Sequence, residues 1–222
     1  TTTATQYSIN AITDSGGSGF DLSRLIQLSD LNNRSVSEVM NGEVIDGGTG
    51  TNTLYIYGTV DLTGVTLNNV TVLIVNSDVT LTPDQISAFT TIDGDGNSVI
   101  NIQVPPGSSE NYILDLSALN LSDIGSINID GDITVLIENE NDLLGVDVIT
   151  VGTSDTLNLQ LTGTGKIDLS AINDTFDQVD KIEISENIIL EIDKTSDISD
   201  LNLTEISGAG SIETNKSTEI DE

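Results

Sequence analysis

From Leu54 onward the chain alternates apolar and polar residues in short runs. Leu54 and Ile56 flank Tyr55, Gly58 turns the chain, and Leu62, Val65 and Leu67 follow. Val70, Val72 and Ile74 come next, Asn76-Ser77-Asp78 reads as a turn, and the alternation resumes at Val79 and Leu81. Period-2 runs of about five residues bounded by Gly, Asn and Asp predict strands. One stretch breaks the pattern. Thr82-Pro83-Asp84-Gln85 places Thr at an N-cap and Pro at the first helical position, which predicts a short helical turn ending near Phe89.

The pattern recurs. Asp61-Leu62 returns at Asp115-Leu116 and at Asp168-Leu169, 54 and 53 residues on. Val70 matches Ile124 and Val179; Val79 matches Ile133 and Ile188; the Leu81 slot holds Val135 and Leu190. Val72-Leu73-Ile74 aligns with Ile127-Asn128-Ile129 and Ile182-Glu183-Ile184, and Ile92, Ile149 and Ile206 close the units at intervals of 57. A unit of this size cannot bury its apolar side alone, and stacking supplies the partner. The expected fold is all-β: a repeat β-solenoid, parallel β-helix-like, of about three 54-residue units, each supplying two coils and a loop. The alternative is a β-sandwich, in which the same alternation pairs two sheets. The expected organisation is an N-terminal arm and cap (1–42), a three-repeat β domain (43–212) and a polar tail (213–222). Within the arm, Tyr7, Ile9 and Ile12 form a strand-like patch ahead of a Gly-Ser hinge at 15–19, which suggests an arm that docks on a neighbouring subunit.

Composition sharpens this. Only 3% of residues are aromatic, so small aliphatic side chains must fill a thin interior. Cysteine is absent, which excludes disulfides and thiolate metal sites. No apolar run approaches the ~18 residues of a membrane helix, so membrane insertion is not expected. No signal peptide is visible and the chain starts at Thr1, which reads as a processed product, a fragment, or a protein with a distant export signal. Acidic residues number 36 against 6 basic ones, and 18 of the acids lie among the 131 residues between Arg34 and Lys166, where there is no cation. Such a surface repels nucleic acid and anionic membranes. It either serves solubility or gathers divalent cations.

Histidine is also absent, so no His base, His-paired nucleophile or His ligand exists, and with so few aromatics an enzyme is not expected. The candidate chemistry is cation binding. Asp93, Asp95 and Asn97 alternate with glycines, an oxygen-rich bend of the kind calcium takes. Asp130 and Asp132 flank Gly131 at the turn that matches Asp78 one repeat earlier, and Glu138, Glu140 and Asp142 alternate as if on one face of a strand. Like charges side by side on a sheet are destabilising unless a cation joins them.

Gly47-Gly48-Thr49-Gly50-Thr51-Asn52-Thr53-Leu54 resembles the glycine-rich nonapeptide of RTX, or haemolysin-type, calcium-binding proteins, with Asn52 where that family carries Asp. In style, residues 43–212 look like the β-strand-repeat proteins of bacterial surface layers and large RTX-type secreted adhesins. That resemblance implies an extracellular, cell-surface structural protein that self-assembles as a layer, fibre or adhesin stalk, with calcium aiding folding or assembly. The partner is then the protein itself. The alternative is an adhesin module recognising a cell-surface glycan, with the loop from Pro105 to Asn111 as its contact.

Overall fold

The computed structural model describes residues 13–14, 41–105, 112–192 and 201–214. They form a β-solenoid of about seven turns. Each coil crosses three faces in a fixed order. On the first face lie β2 (Val44–Asp46), β5 (Thr66–Asn68), β10 (Tyr112–Asp115), β13 (Ile133–Ile137), β15 (Leu157–Leu161), β17 (Lys181–Ile184) and β19 (Glu205–Gly208). The second holds β3 (Asn52–Ile56), β6 (Val72–Val75), β8 (Thr91–Asp93), β11 (Asn120–Ser122), β16 (Gly165–Asp168), β18 (Ile188–Ile192) and β20 (Ser211–Thr214). The third holds β4 (Val60–Asp61), β7 (Val79–Leu81), β9 (Val99–Gln103), β12 (Ile124–Asp130) and β14 (Val146–Val151). Pairing between coils is parallel throughout, which excludes the sandwich. Among the described residues the single antiparallel pair is β1 (Thr13–Asp14), laid against β3 at the N-terminal end.

The alternation dictates the core. Leu54 pairs with Leu73, and Leu73 with Ile92, so inward side chains stack into ladders that are wholly buried. A second ladder runs Leu114, Val135, Leu159, Ile182. Outward positions between them carry Thr, Asn, Asp and Tyr, as period 2 requires.

Three elements stand in for strands. Helix α1 (Pro83–Ile86) occupies a place on the first face, with the predicted Thr82 cap completed into a capping box by Gln85. The Gln85 amide also donates to the carbonyls of Leu62 and Val65, tying the helix to the coil above. A 3₁₀ turn (Glu140–Leu143) takes a place on the second face, and α2 (Leu169–Thr175) one on the third.

Coil length and repeat length differ. Thr53 pairs with Val72, 19 residues on, and Lys181 with Glu205, 24 on. From β4 to β10, and from β10 to β16, the chain lays down seven elements, counting helices. Seven elements over three faces are two and one-third coils, not two coils and a loop. Each 54-residue unit therefore begins one face further round. Leu81, Val135 and Leu190 are all fully buried in equivalent slots, but on the third, first and second faces in turn. Burial also corrects one alignment by a residue: Leu73 and Val75, not Val72 and Ile74, share the inward slot with Ile127 and Ile129. At the far end β20 carries the solenoid through Glu213 and Thr214, beyond the expected boundary. Residues 1–12, 15–40, 106–111, 193–200 and 215–222, which include the Tyr7 patch and most of the expected glycan loop, lie outside the described residues.

Candidate functional site: the acidic corners

The repeated Asp-Leu is a corner device. Asp61 Oδ1 accepts from the Thr63 N–H at 2.9 Å and from its hydroxyl at 2.8 Å. Asp115 Oδ1 accepts in the same way from Ser117, at 3.1 and 2.6 Å. Asp168 Oδ1 accepts from the Ser170 N–H at 2.8 Å and caps α2. A short acidic side chain bonding the backbone two residues on mimics a turn and frees the chain to bend. The Leu that follows is buried in all three copies. In the first two copies the Leu carbonyl then accepts from the N–H three residues later, at Val65 and Leu119, and the chain turns. In the third the same cap propagates into a helix. The hydroxyl residue after Asp-Leu, Thr63, Ser117 or Ser170, was the signal in the sequence that marked these turns.

The expected cation ligands fall in three separate places. Asp78, Asp93, Asp95 and Asn97 belong to the corner between the second and third faces. There the Ser122 hydroxyl donates to Asp93, and Asp95 Oδ1 accepts from the Asn97 N–H at 2.9 Å. The bend is an Asx turn packed on the next coil: a Cβ on Gly94 would lie 2.2 Å from the Asp123 carbonyl oxygen. Asp130 and Asp132 sit at the corner between the third and first faces. Asp132 Oδ1 accepts from the Thr156 N–H of the next coil at 2.7 Å; Asp155 returns the contact to the Gly131 N–H at 3.1 Å; Asp180 holds the Leu157 N–H at 2.9 Å.

Glu138, Glu140 and Asp142 do not line a strand face. β13 ends at Ile137, and Asn139 opens the 3₁₀ turn. Asp142 Oδ2 accepts from the N–H groups of Glu138 at 2.6 Å and Asn139 at 3.0 Å, while Glu140 accepts from the Asp168 N–H at 2.7 Å. Asn–Glu–Asn–Asp favours a cap over continued alternation, because each of these side chains can bond nearby backbone.

Among the described residues, no three carboxylates gather closely enough to hold one metal ion. Calcium takes six to eight oxygens, and backbone carbonyls and side-chain amides can supply them as well as carboxylates. The Gly47–Leu54 segment is likewise used internally. Asn52 points inward and is fully buried; its Nδ2 donates to the Asn69 carbonyl at 2.7 Å while its Oδ1 has no partner. Asp46 beside it accepts from the Asn69 amide and the Gly48 N–H, which lower its pKa below the usual carboxylate value of 3.8.

Cations appear at the C-terminal end. Lys166 bridges Glu191 at 2.6 Å and Glu213 at 2.8 Å, spanning three coils of the second face. Its pKa is raised, first by the hydrogen bond it donates to Glu191 and then by the one it donates to Glu213. Lys181 pairs with Glu205 at 3.1 Å on the first face. At the other end, Tyr55 and Tyr57 project outward with near-parallel rings 6.1 Å apart, a feature the reading of the sequence passed over. The fold and its corners define a parallel β-solenoid with backbone-capping acids. Compared with protein-family models, curated proteins and solved structures, the chain matches none of them.

Proposed function

We propose that this is an extracellular structural protein that self-assembles on the cell surface as a layer, fibre or adhesin stalk, and does no catalysis. The observation that carries this reading is where the polar groups go. Asp46, Asp61, Asp115, Asp132 and Asp180, among others, are hydrogen-bonded to backbone, so these acids build the scaffold rather than converge on a substrate. A rigid rod of stacked coils with a net charge of −30 suits a spacer or lattice element. Calcium enters the proposal as an external aid: it screens the acidic surface and lowers the repulsion between copies, rather than filling a built site. The test is particle size by light scattering and melting temperature, each in millimolar calcium and in chelator. Growth of the particle in calcium, reversed by chelator, is expected. A monomer of unchanged melting temperature under both conditions overturns the reading.

A second reading rests on Tyr55 and Tyr57. Outward rings on the strand that carries Thr53 offer apolar faces next to a hydroxyl group, the combination a glycan-binding module needs. Glycan-array binding lost in Tyr57→Ala favours that reading over the first.

A further inference from the structure

The tyrosine pair lies in an acidic part of the chain: no lysine or arginine occurs between Arg34 and Lys166. Tyr57 is 47% exposed, and its ring lies 6.1 Å from that of Tyr55 at an interplanar angle of 9°. The strand laid beside them adds apolar surface. Val72 pairs with Thr53 and Ile74 with Tyr55, and both point outward and are half-buried.

The register also places an acid next to the rings. Ile56 pairs with Val75 and Val60 with Val79, the same offset on both sides of the bend at Gly58. Asn76 therefore lies opposite Tyr57, and Asp78 opposite Thr59. The Val60 N–H, donating to the Asp78 carbonyl at 3.0 Å, fixes that alignment. Corner aspartates such as Asp61 and Asp95 give their carboxylates to backbone N–H groups. The Asp78 carboxylate accepts no hydrogen bond among the described residues, although it is half-buried. One strand further on, Asp93 continues the outward row of Tyr55 and Ile74.

We infer that this surface binds a cationic amino sugar, a glycan whose free amines carry protons. This rests on the glycan reading of Tyr55 and Tyr57 and names the class of sugar. An aromatic ring presents a negative face that draws an ammonium group. The uncommitted carboxylate of Asp78 is available to pair with the same charge. A net charge of −30 adds long-range attraction for a cation and repels uronic acids and sulfated or phosphorylated sugars. A neutral glycan gains from the rings alone. Rings standing on a sheet face suit a flat, ring-shaped ligand, whereas an extended peptide is recognised through a sheet edge and side-chain pockets.

The probes are short oligomers of glucosamine and of N-acetylglucosamine, which share a ring and differ in charge, titrated by calorimetry at mildly acidic pH. The glucosamine oligomer should bind at least about fivefold more tightly, the worth of one exposed cation–π contact. Tyr57→Ala should weaken both. Asp78→Asn should lower glucosamine affinity about threefold and leave the N-acetylated oligomer unchanged. Glu186→Gln, which removes one exposed carboxylate from a corner near the other end of the solenoid, should change neither. If neither oligomer binds, the glycan reading falls and this inference with it. Equal binding of the two leaves the glycan reading standing and overturns the amino sugar. A glucosamine preference that survives Tyr57→Ala, or that Glu186→Gln lowers as much as Asp78→Asn does, is bulk attraction to an acidic chain and overturns the site. An oligolysine peptide that binds as tightly as the glucosamine oligomer, and loses affinity in Tyr57→Ala, overturns it in favour of a basic protein partner.

Discussion

The early and late coils neutralise their acids differently. From Asp46 to Asp155 no lysine or arginine is present, and carboxylates such as Asp46, Asp61, Asp115 and Asp155 rest on backbone N–H groups at the corners. From Lys166 onward, glutamates on the outer faces are clasped by lysines instead: Glu191 and Glu213 by Lys166, Glu205 by Lys181. The first arrangement is made of one or two hydrogen bonds to backbone, within a corner as at Asp61 or to the next coil as at Asp132. The second spans coils and depends on flexible, exposed side chains. A cation-free acidic stretch therefore does not by itself signal bound metal, because a solenoid leaves backbone donors at every corner for carboxylates to take.

The core should be indifferent to this contrast. Leu81→Ala in the early coils and Leu190→Ala in the late ones should each cost about 2–5 kcal/mol in denaturant unfolding, since both side chains are fully buried. Costs differing by more than the spread of that range would show that the two halves do not fold as one ladder. A smaller loss is expected from the corner: Asp115→Ala removes two hydrogen bonds and should cost about 1 kcal/mol, as caps do. Added salt should leave that loss unchanged. Lys166→Ala should cost less still, and molar salt should erase the difference from the parent, because exposed ion pairs are screened.

The pH dependence is the finest discriminator. The pKa of Lys166 is raised above its ordinary 10.5, so its contribution is complete below that value and is lost as pH rises through the higher folded value. Asp46 is lowered below 3.8, so its contribution is present above that value and disappears as pH falls through the lower folded one. Lys166→Ala should blunt the alkaline loss in a melting-temperature profile and leave the acid limb untouched; Asp46→Asn should do the opposite.

The strands, the inward Leu and Val positions and the Thr82–Gln85 cap were readable because each depends on neighbours a few residues away. The 54-residue recurrence was readable too, but its meaning was not. The same corner signal, Asp-Leu followed by Thr or Ser, serves whichever face the chain has reached, so nothing local in Asp61, Asp115 or Asp168 states that they lie on different faces. The hydrogen-bond partners of the acids were hidden for a related reason. The partners of Asp132 and Asp180 are Thr156 and Leu157, a coil length away. Without that length, a row such as Glu138, Glu140 and Asp142 looks unpartnered and calls for a cation.

A seven-element unit wound on a three-sided frame behaves like a spiral staircase. Successive copies of any outward residue written into the unit stand a third of a revolution apart, and about 11 Å higher at the usual strand spacing. A ligand group encoded once per unit is thus shown to every side in turn, never twice along one flat side within three units. Alignment on a single side returns only after 21 elements, a rise of about 34 Å. A rod of this kind is poorly matched to a planar crystal with a short repeat. In the self-assembly proposed above, such a rod would meet neighbours from three directions, as a strut shared between adjoining cells of a lattice would.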